Sequence, residues 1–140
     1  MGIIQDIWIV QAGVGRVLFT RSVNDDLDGQ LFGGLMSAIH SIANMLDKKG
    51  LQSIELGDLK FTLLNKNEVL FIVSHEKKAS MKKVTKRLHR IVDAFFDRYP
   101  REIIENWDGN LFQFSSMDQI IDEVTDPFIT NMKYIMSGGP

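Results

Sequence analysis

Several clusters in the sequence combine residue types that could do chemistry. Gly13-Val14-Gly15 has the look of a phosphate loop, in which backbone N–H groups meet an anion at a helix N-terminus. No Gly-Lys-Ser or Gly-Lys-Thr follows, and the chain runs into strand-like Arg16-Val17-Leu18-Phe19-Thr20, so the glycines read as a hairpin turn. Asp25, Asp26 and Asp28 could ligate a hard cation. An EF-hand loop, however, needs alternating oxygens, a central glycine and a distal glutamate, and Gly29-Gln30 does not continue that pattern. Their carboxylates instead suit the positive end of the helix that follows. His40, His75 and His89 have no second histidine or carboxylate at ligand spacing and read as surface or boundary residues. There is no cysteine and no Gly-x-Ser-x-Gly elbow, so no nucleophile stands out. The expectation is a protein that is not an enzyme, with no catalytic residue, no metal and no cofactor.

The elements that would position such residues read clearly from apolar period. Residues 3–10 are rich in β-branched and aromatic side chains and predict a buried strand; 16–22 predict its hairpin partner. A helix follows, placing Leu31, Leu35, Ile39, Ile42 and Leu46 at helical spacing with Phe32, Met36, Ala43 and Met45 beside them, and Gly50 stops it. Residues 52–56, 59–64 and 68–74 predict three more strands, with a tight turn at Asn65-Lys66-Asn67. Ser80 caps a long helix whose apolar stripe is Val84, Leu88, Ile91, Val92, Phe95 and Phe96. Beyond Pro100 the pattern weakens to a helical stretch at 101–107 and a last helix opened by Ser116-Met117-Asp118-Gln119, with Pro127 ending or kinking it.

At 140 residues, 44% hydrophobic and 24% charged, the chain suits a single domain with one core, residues 1–136, and a flexible tail at 137–140. Sixteen basic and eighteen acidic side chains leave a net charge of −2, which argues against nucleic acid as a partner. The absence of cysteine fits a reducing cytoplasm, and the first residues lack a signal peptide's basic start and apolar run. No stretch of about 18 apolar residues could span a bilayer.

The order of two strands, helix, three strands and helices resembles the longin fold. The run from Asp58-Leu59-Lys60-Phe61-Thr62-Leu63-Leu64 through Asn65-Lys66-Asn67 to Val69-Leu70-Phe71-Ile72-Val73 is similar to two adjoining strands of a small clathrin-adaptor chain. Leu88-His89-Arg90-Ile91-Val92-Asp93-Ala94-Phe95-Phe96 is similar to the helix that follows them there. The resemblance covers about residues 3–125 and extends to SNARE longin domains and free-standing archaeal longin-like proteins. It implies an α+β fold, a five-stranded antiparallel sheet with one helix on one face and two on the other. It also implies a protein-interaction module of membrane trafficking or small-GTPase regulation, with a GTPase, a SNARE-like protein or an adaptor or tether subunit as partner. The neighbouring roadblock module, a GTPase-regulator subunit on a similar sheet, begins with a helix, whereas here a strand begins at residue 3. A small enzyme would need a concave cluster of perturbed ionisable groups, which nothing in the sequence supplies. A polar group deep in the core would favour a small-molecule sensor, and the predicted sheet faces look apolar throughout.

Two surfaces follow. Gly33 and Gly34 each cost about 1 kcal/mol relative to alanine inside a helix, so close approach of a backbone should offset them. With Ser37 and Ala38 they form a small-residue side, which could pack on the chain's own sheet or receive a second chain. The resemblance implies a groove beside this helix and the strand at 53–56, a sheet edge, where Leu31, Gly33, Gly34, Leu35, Met36, Ser37, Ile54 and Leu56 would take a partner segment or a second copy in a homodimer. The other surface is basic. Lys82, Lys83, Lys86, Arg87 and Arg90 line the outer side of the long helix and are expected either to be simply solvated or to dock anionic lipid headgroups, in peripheral association with a membrane, or an acidic partner.

Overall fold

A computed structural model describes residues 3–22, 28–110 and 112–125. The acidic loop at 24–27, the stop at Pro127 and the tail at 137–140 lie outside them. The elements in chain order are β1 (Asp6–Gln11), β2 (Arg16–Arg21), α1 (Gly29–Leu46), β3 (Ser53–Leu56), β4 (Leu59–Lys66), β5 (Val69–Glu76), α2 (Met81–Arg98), α3 (Arg101–Glu105) and α4 (Met117–Thr125).

The strands form one five-stranded antiparallel sheet in the order β2-β1-β5-β4-β3. Its hairpins are set by backbone chemistry. Gly13 and Gly15 take φ of 86° and 73° in the β1–β2 turn. β4 extends to Lys66, so the β4–β5 turn is the two residues Asn67 and Glu68, both left-handed at φ 52° and 65°, as the twist of a tight hairpin demands.

Strand alternation divides the interior into two layers. Ile7, Ile9, Leu18, Val69, Phe71 and Val73 face α2, α3 and α4, joined by Phe95, Tyr99, Trp107, Phe114 and Ile121. Trp8, Val10, Val17, Phe61, Leu63, Leu70 and Ile72 face α1. β1 and β5 are buried on both faces, which is why they read as continuous apolar runs.

Polar residues do enter the sheet, contrary to the expectation of apolar faces. The Ser74 hydroxyl donates to Asp6 Oδ2 at 2.6 Å. His75, fully buried rather than a boundary residue, has Nδ1 2.9 Å from the Glu76 carbonyl and Nε2 2.7 Å from Thr62 Oγ1. A carbonyl only accepts, so Nδ1 carries a proton there. These hydrogen bonds offset the cost of burying the groups, as is the rule for most buried polar atoms.

α1 is capped by Asp28, whose Oδ1 accepts from the Gln30 and Leu31 N–H groups at 3.0 and 3.1 Å. Ser80 caps α2 through the Lys83 N–H. Before α4, the Ser116 hydroxyl pairs with the Tyr99 hydroxyl, tying that turn to the end of α2. Arg21 of β2 holds α4 through Asp122 at 2.7 Å and Asp118 at 3.4 Å.

The double glycine splits into two different roles. A Cβ at Gly33 would stand 2.4 Å from Val17 Cγ2 and 3.2 Å from Val10 Cγ2, so this residue lets α1 lie directly on β1 and β2. A Cβ at Gly34 would meet nothing within 4 Å. Gly33→Ala is therefore expected to cost about 1–3 kcal/mol through overpacking. Gly34→Ala should gain up to about 1 kcal/mol of helix propensity. Urea unfolding of both variants checks this; equal losses in the two would contradict the assignment.

Candidate protein-docking site

α1 carries no charged residue along its 18 positions. Its inward side is formed by Gly33, Met36, Ser37 and His40, three of them small or polar. Its larger apolar residues point the other way: Leu31 is 74% exposed, Met45 87% and Leu46 85%, with Leu35 and Ile42 also exposed. The stripe legible in the sequence is thus mostly the outer face of the helix. Close packing at Gly33 fixes this orientation, because only the glycine side can sit on Val10 and Val17.

The flanks of α1 differ. On one, Phe32 stacks over Trp8 and Phe61 with ring centroids 4.3 and 5.3 Å away, which turns that flank toward β4. On the other lies the β1–β2 turn, where a Cβ at Gly15 would be 3.3 Å from the Gly34 Cα. β3 is an edge of the sheet, as expected. Its Ile54 and Leu56 stand opposite Phe61 and Leu59, on the α1 side; Leu56 is exposed and Ile54 partly buried against that layer.

Leu31, Leu35, Ile54 and Leu56 therefore share one side of the sheet, two on the solvent face of the helix and two on the edge strand. Gly33, Met36 and Ser37 are buried under the helix, so the expectation that they line a partner groove is corrected: they pack on the chain's own sheet. Gly34 lies on the hairpin flank. Ile42, Met45 and Leu46 extend the exposed stripe; their helical spacing after Leu31 and Leu35 was the signal that could have added them to it.

Beneath α1 the packing is imperfect. The Trp8 Nε1 and His40 Nδ1 atoms are buried with no hydrogen-bond partner among the described residues. The His40 ring is held by Asn65, 3.2 Å from its Nε2, and by Gly50, where any Cβ would stand 2.7 Å from Cε1. His40 is thus buried rather than at the boundary. An amide-rich cavity of about 480 Å³ opens beside it, walled by Asn44, Asn65, Gln11, Glu68 and the Arg101–Glu105 pair. Among the described residues no three histidine or carboxylate side chains gather where they could hold a metal ion, and no helix is long and apolar enough to cross a membrane.

The basic side chains lie on the other face of the sheet. Lys82, Lys83, Lys86 and Arg90 are exposed on α2. Arg87 departs from them: it is half-buried, and its Nη1 is shut from solvent without a partner among the described residues.

A two-edged antiparallel sheet with one helix on one face and the rest on the other is the longin arrangement. A family model described as the first longin domain of FUZ, MON1 and HPS1 matches residues 6–96, from the start of β1 into the last turn of α2. The chain belongs to that longin family. No curated protein matches it. Among solved structures it is similar to the roadblock/LC7 domain from Streptomyces avermitilis, with a TM-score of 0.56 at 13% identity over 68% of this chain and 84% of that one. Myxococcus xanthus MglB gives 0.53 at 12% identity, over 69% and 85%. A chain of the mammalian SRP receptor gives 0.50 at 22% identity, over 91% and 98%. At these identities the likeness is one of fold.

The orientation of α1 has a measurable consequence. Met36→Ala should cost about 2–5 kcal/mol by leaving a cavity. In the single chain, at dilutions where no second chain covers the outer face of α1, Leu35→Ala and Ile42→Ala should stay within about 0.5 kcal/mol of the parent. Denaturant midpoints test this, and a large loss at Leu35 or Ile42 would mean that the helix is turned the other way.

Proposed function

We propose that the chain is a non-catalytic protein-interaction module of the membrane-trafficking or small-GTPase-regulation type, working through the outer face of α1 and the β3 edge. One observation carries this reading: an uncharged helix presents its large apolar residues to solvent on the same side of the sheet as an edge strand whose outer side meets no further strand among the described residues. A contiguous exposed apolar surface marks an interaction site, and an open edge offers main-chain pairing. Longin membership supports the trafficking and GTPase setting, in which the partner is a small GTPase, a SNARE-like protein or an adaptor or tether subunit.

The occupant the surface fits first is a second copy of this chain. Identical strands pairing side by side in antiparallel fashion have their two-fold axis normal to the sheet. Both α1 helices then lie on one face, with their apolar stripes turned toward each other across the axis. An uncharged α1 lets this happen without like charges meeting. Leu31, Leu35, Ile42 and Leu56 would be the contact residues, with Ile54 supporting the edge from beneath and Gly34 giving room at the hairpin flank. The similar roadblock structures keep a roadblock-like regulator subunit as the second reading, but the family match to longin domains favours the first.

Light scattering during gel filtration tests the pairing. The parent chain is expected at twice its monomer mass, and Ile42→Asp and Leu56→Lys at the monomer mass with unchanged circular dichroism. A monomeric parent at high protein concentration, or a dimer that both variants leave intact, would overturn the proposed surface.

A further inference from the structure

α2 changes in charge along its length. Its first half carries Lys82, Lys83, Lys86 and Arg90, all exposed and with no ion pair among the described residues. Its second half mixes signs: it carries Asp97, Arg98 and Asp93, the last 4.0 Å from Lys66, with Glu123 of α4 beside the two carboxylates. Asp118 and Asp122 of α4 are taken up by Arg21. The two lysines that precede the helix are different: Lys77 is 3.3 Å from Glu55 and Lys78 3.8 Å from Glu76. Four exposed cations are thus gathered within about two and a half turns on the outer side of one helix, and Met81, 37% exposed, stands at its start.

We propose that this half of α2 is a docking surface for an anionic lipid bilayer. Its chemistry fits a broad, mobile negative surface better than a single anion. Three of the four groups are lysines, compact charges on flexible stems, where recognition of one phosphate or carboxylate would favour the planar fork of arginine. Arg90 marks the boundary: it shares a cavity with Asp93, Asp97 and Glu123, whose carboxylates turn away a small bound anion. Asp93 and Asp97 also interrupt the positive surface that an extended polyanion laid along the helix would need, while a membrane can meet the basic end alone. The stems of the lysines and Met81 can rest at the headgroup level with the charges among the phosphates. α2 packs on the sheet face opposite α1, so the membrane and a chain docked on α1 and β3 can be held at once. The inference is independent of the pairing described above.

Co-sedimentation with phosphatidylcholine vesicles, with and without phosphatidylserine, at low salt provides the test. The parent chain should bind only the vesicles with phosphatidylserine and be released by added salt. Substituting Lys82→Gln, Lys86→Gln and Arg90→Gln together should weaken binding roughly a hundredfold. A control with Lys77→Gln and Lys78→Gln should bind as the parent does. The proposal is overturned if neither vesicle binds, if binding ignores phosphatidylserine, or if the control weakens binding as much as the triple substitution. Tighter binding to soluble polyglutamate than to the vesicles would also overturn it, in favour of an acidic protein partner. Unchanged thermal unfolding of the triple variant keeps a folding defect from imitating the expected loss.

Discussion

The approach of α1 to the β1–β2 hairpin at Gly33 decides which side chains of this protein meet solvent. A helix whose axis lies this close to two strands has room beneath it only for small residues, and Gly33 and Ser37 occupy that place with Met36 and His40 alongside. Everything large and apolar on the remaining arc is then directed outward. The energetic logic is unusual for a monomer, in which burial of such residues normally supplies the stability of a surface helix. Here burial falls to Phe32 and Met36, supported by Trp8 and Phe61.

The opposite face of the sheet follows the ordinary rule. α2 buries Val84, Leu88, Ile91, Val92 and Phe95 against Phe71 and Phe114 and leaves its charges outside. The sheet thus stands between two layers with opposite habits, one sealed and charged on its outer side, the other thinly covered and apolar. Among the polar groups within the sheet, Asp6 pairs with Ser74 and His75 with Thr62. That arrangement suits a scaffold that works through its outer surfaces.

Much of this was legible in the residues. Alternation and β-branched runs marked all five strands, and Ser80 with the Val84-to-Phe96 stripe marked α2, because those elements bury their apolar sides in the usual way. α1 was visible as a helix, but its facing was not. Apolar spacing reports that a stripe exists; it does not say whether the core or a partner covers it. Gly33 and Gly34 look alike in sequence, and only the position of Val17 and Val10 separates a packing glycine from one at open space. His40 and His75 read as peripheral because their side-chain partners Asn65 and Thr62 are supplied by β4, distant in sequence from His40 and on the neighbouring strand for His75. The β4–β5 turn falls at Asn67 and Glu68, slightly later than the Asn65-Lys66-Asn67 that the sequence points to, since neither residue is the glycine that usually signals such a turn.

The central claim is that the outer stripe of α1 and the β3 edge are covered by another chain in the working protein. Hydrogen–deuterium exchange across a dilution series reads it directly, because an unpaired edge strand exchanges quickly and a paired one does not. The account predicts that peptides spanning residues 51–58 gain protection as concentration rises, while those of β2, the other edge, do not. Rapid exchange of residues 51–58 at every concentration, or equal protection at both edges, would contradict it.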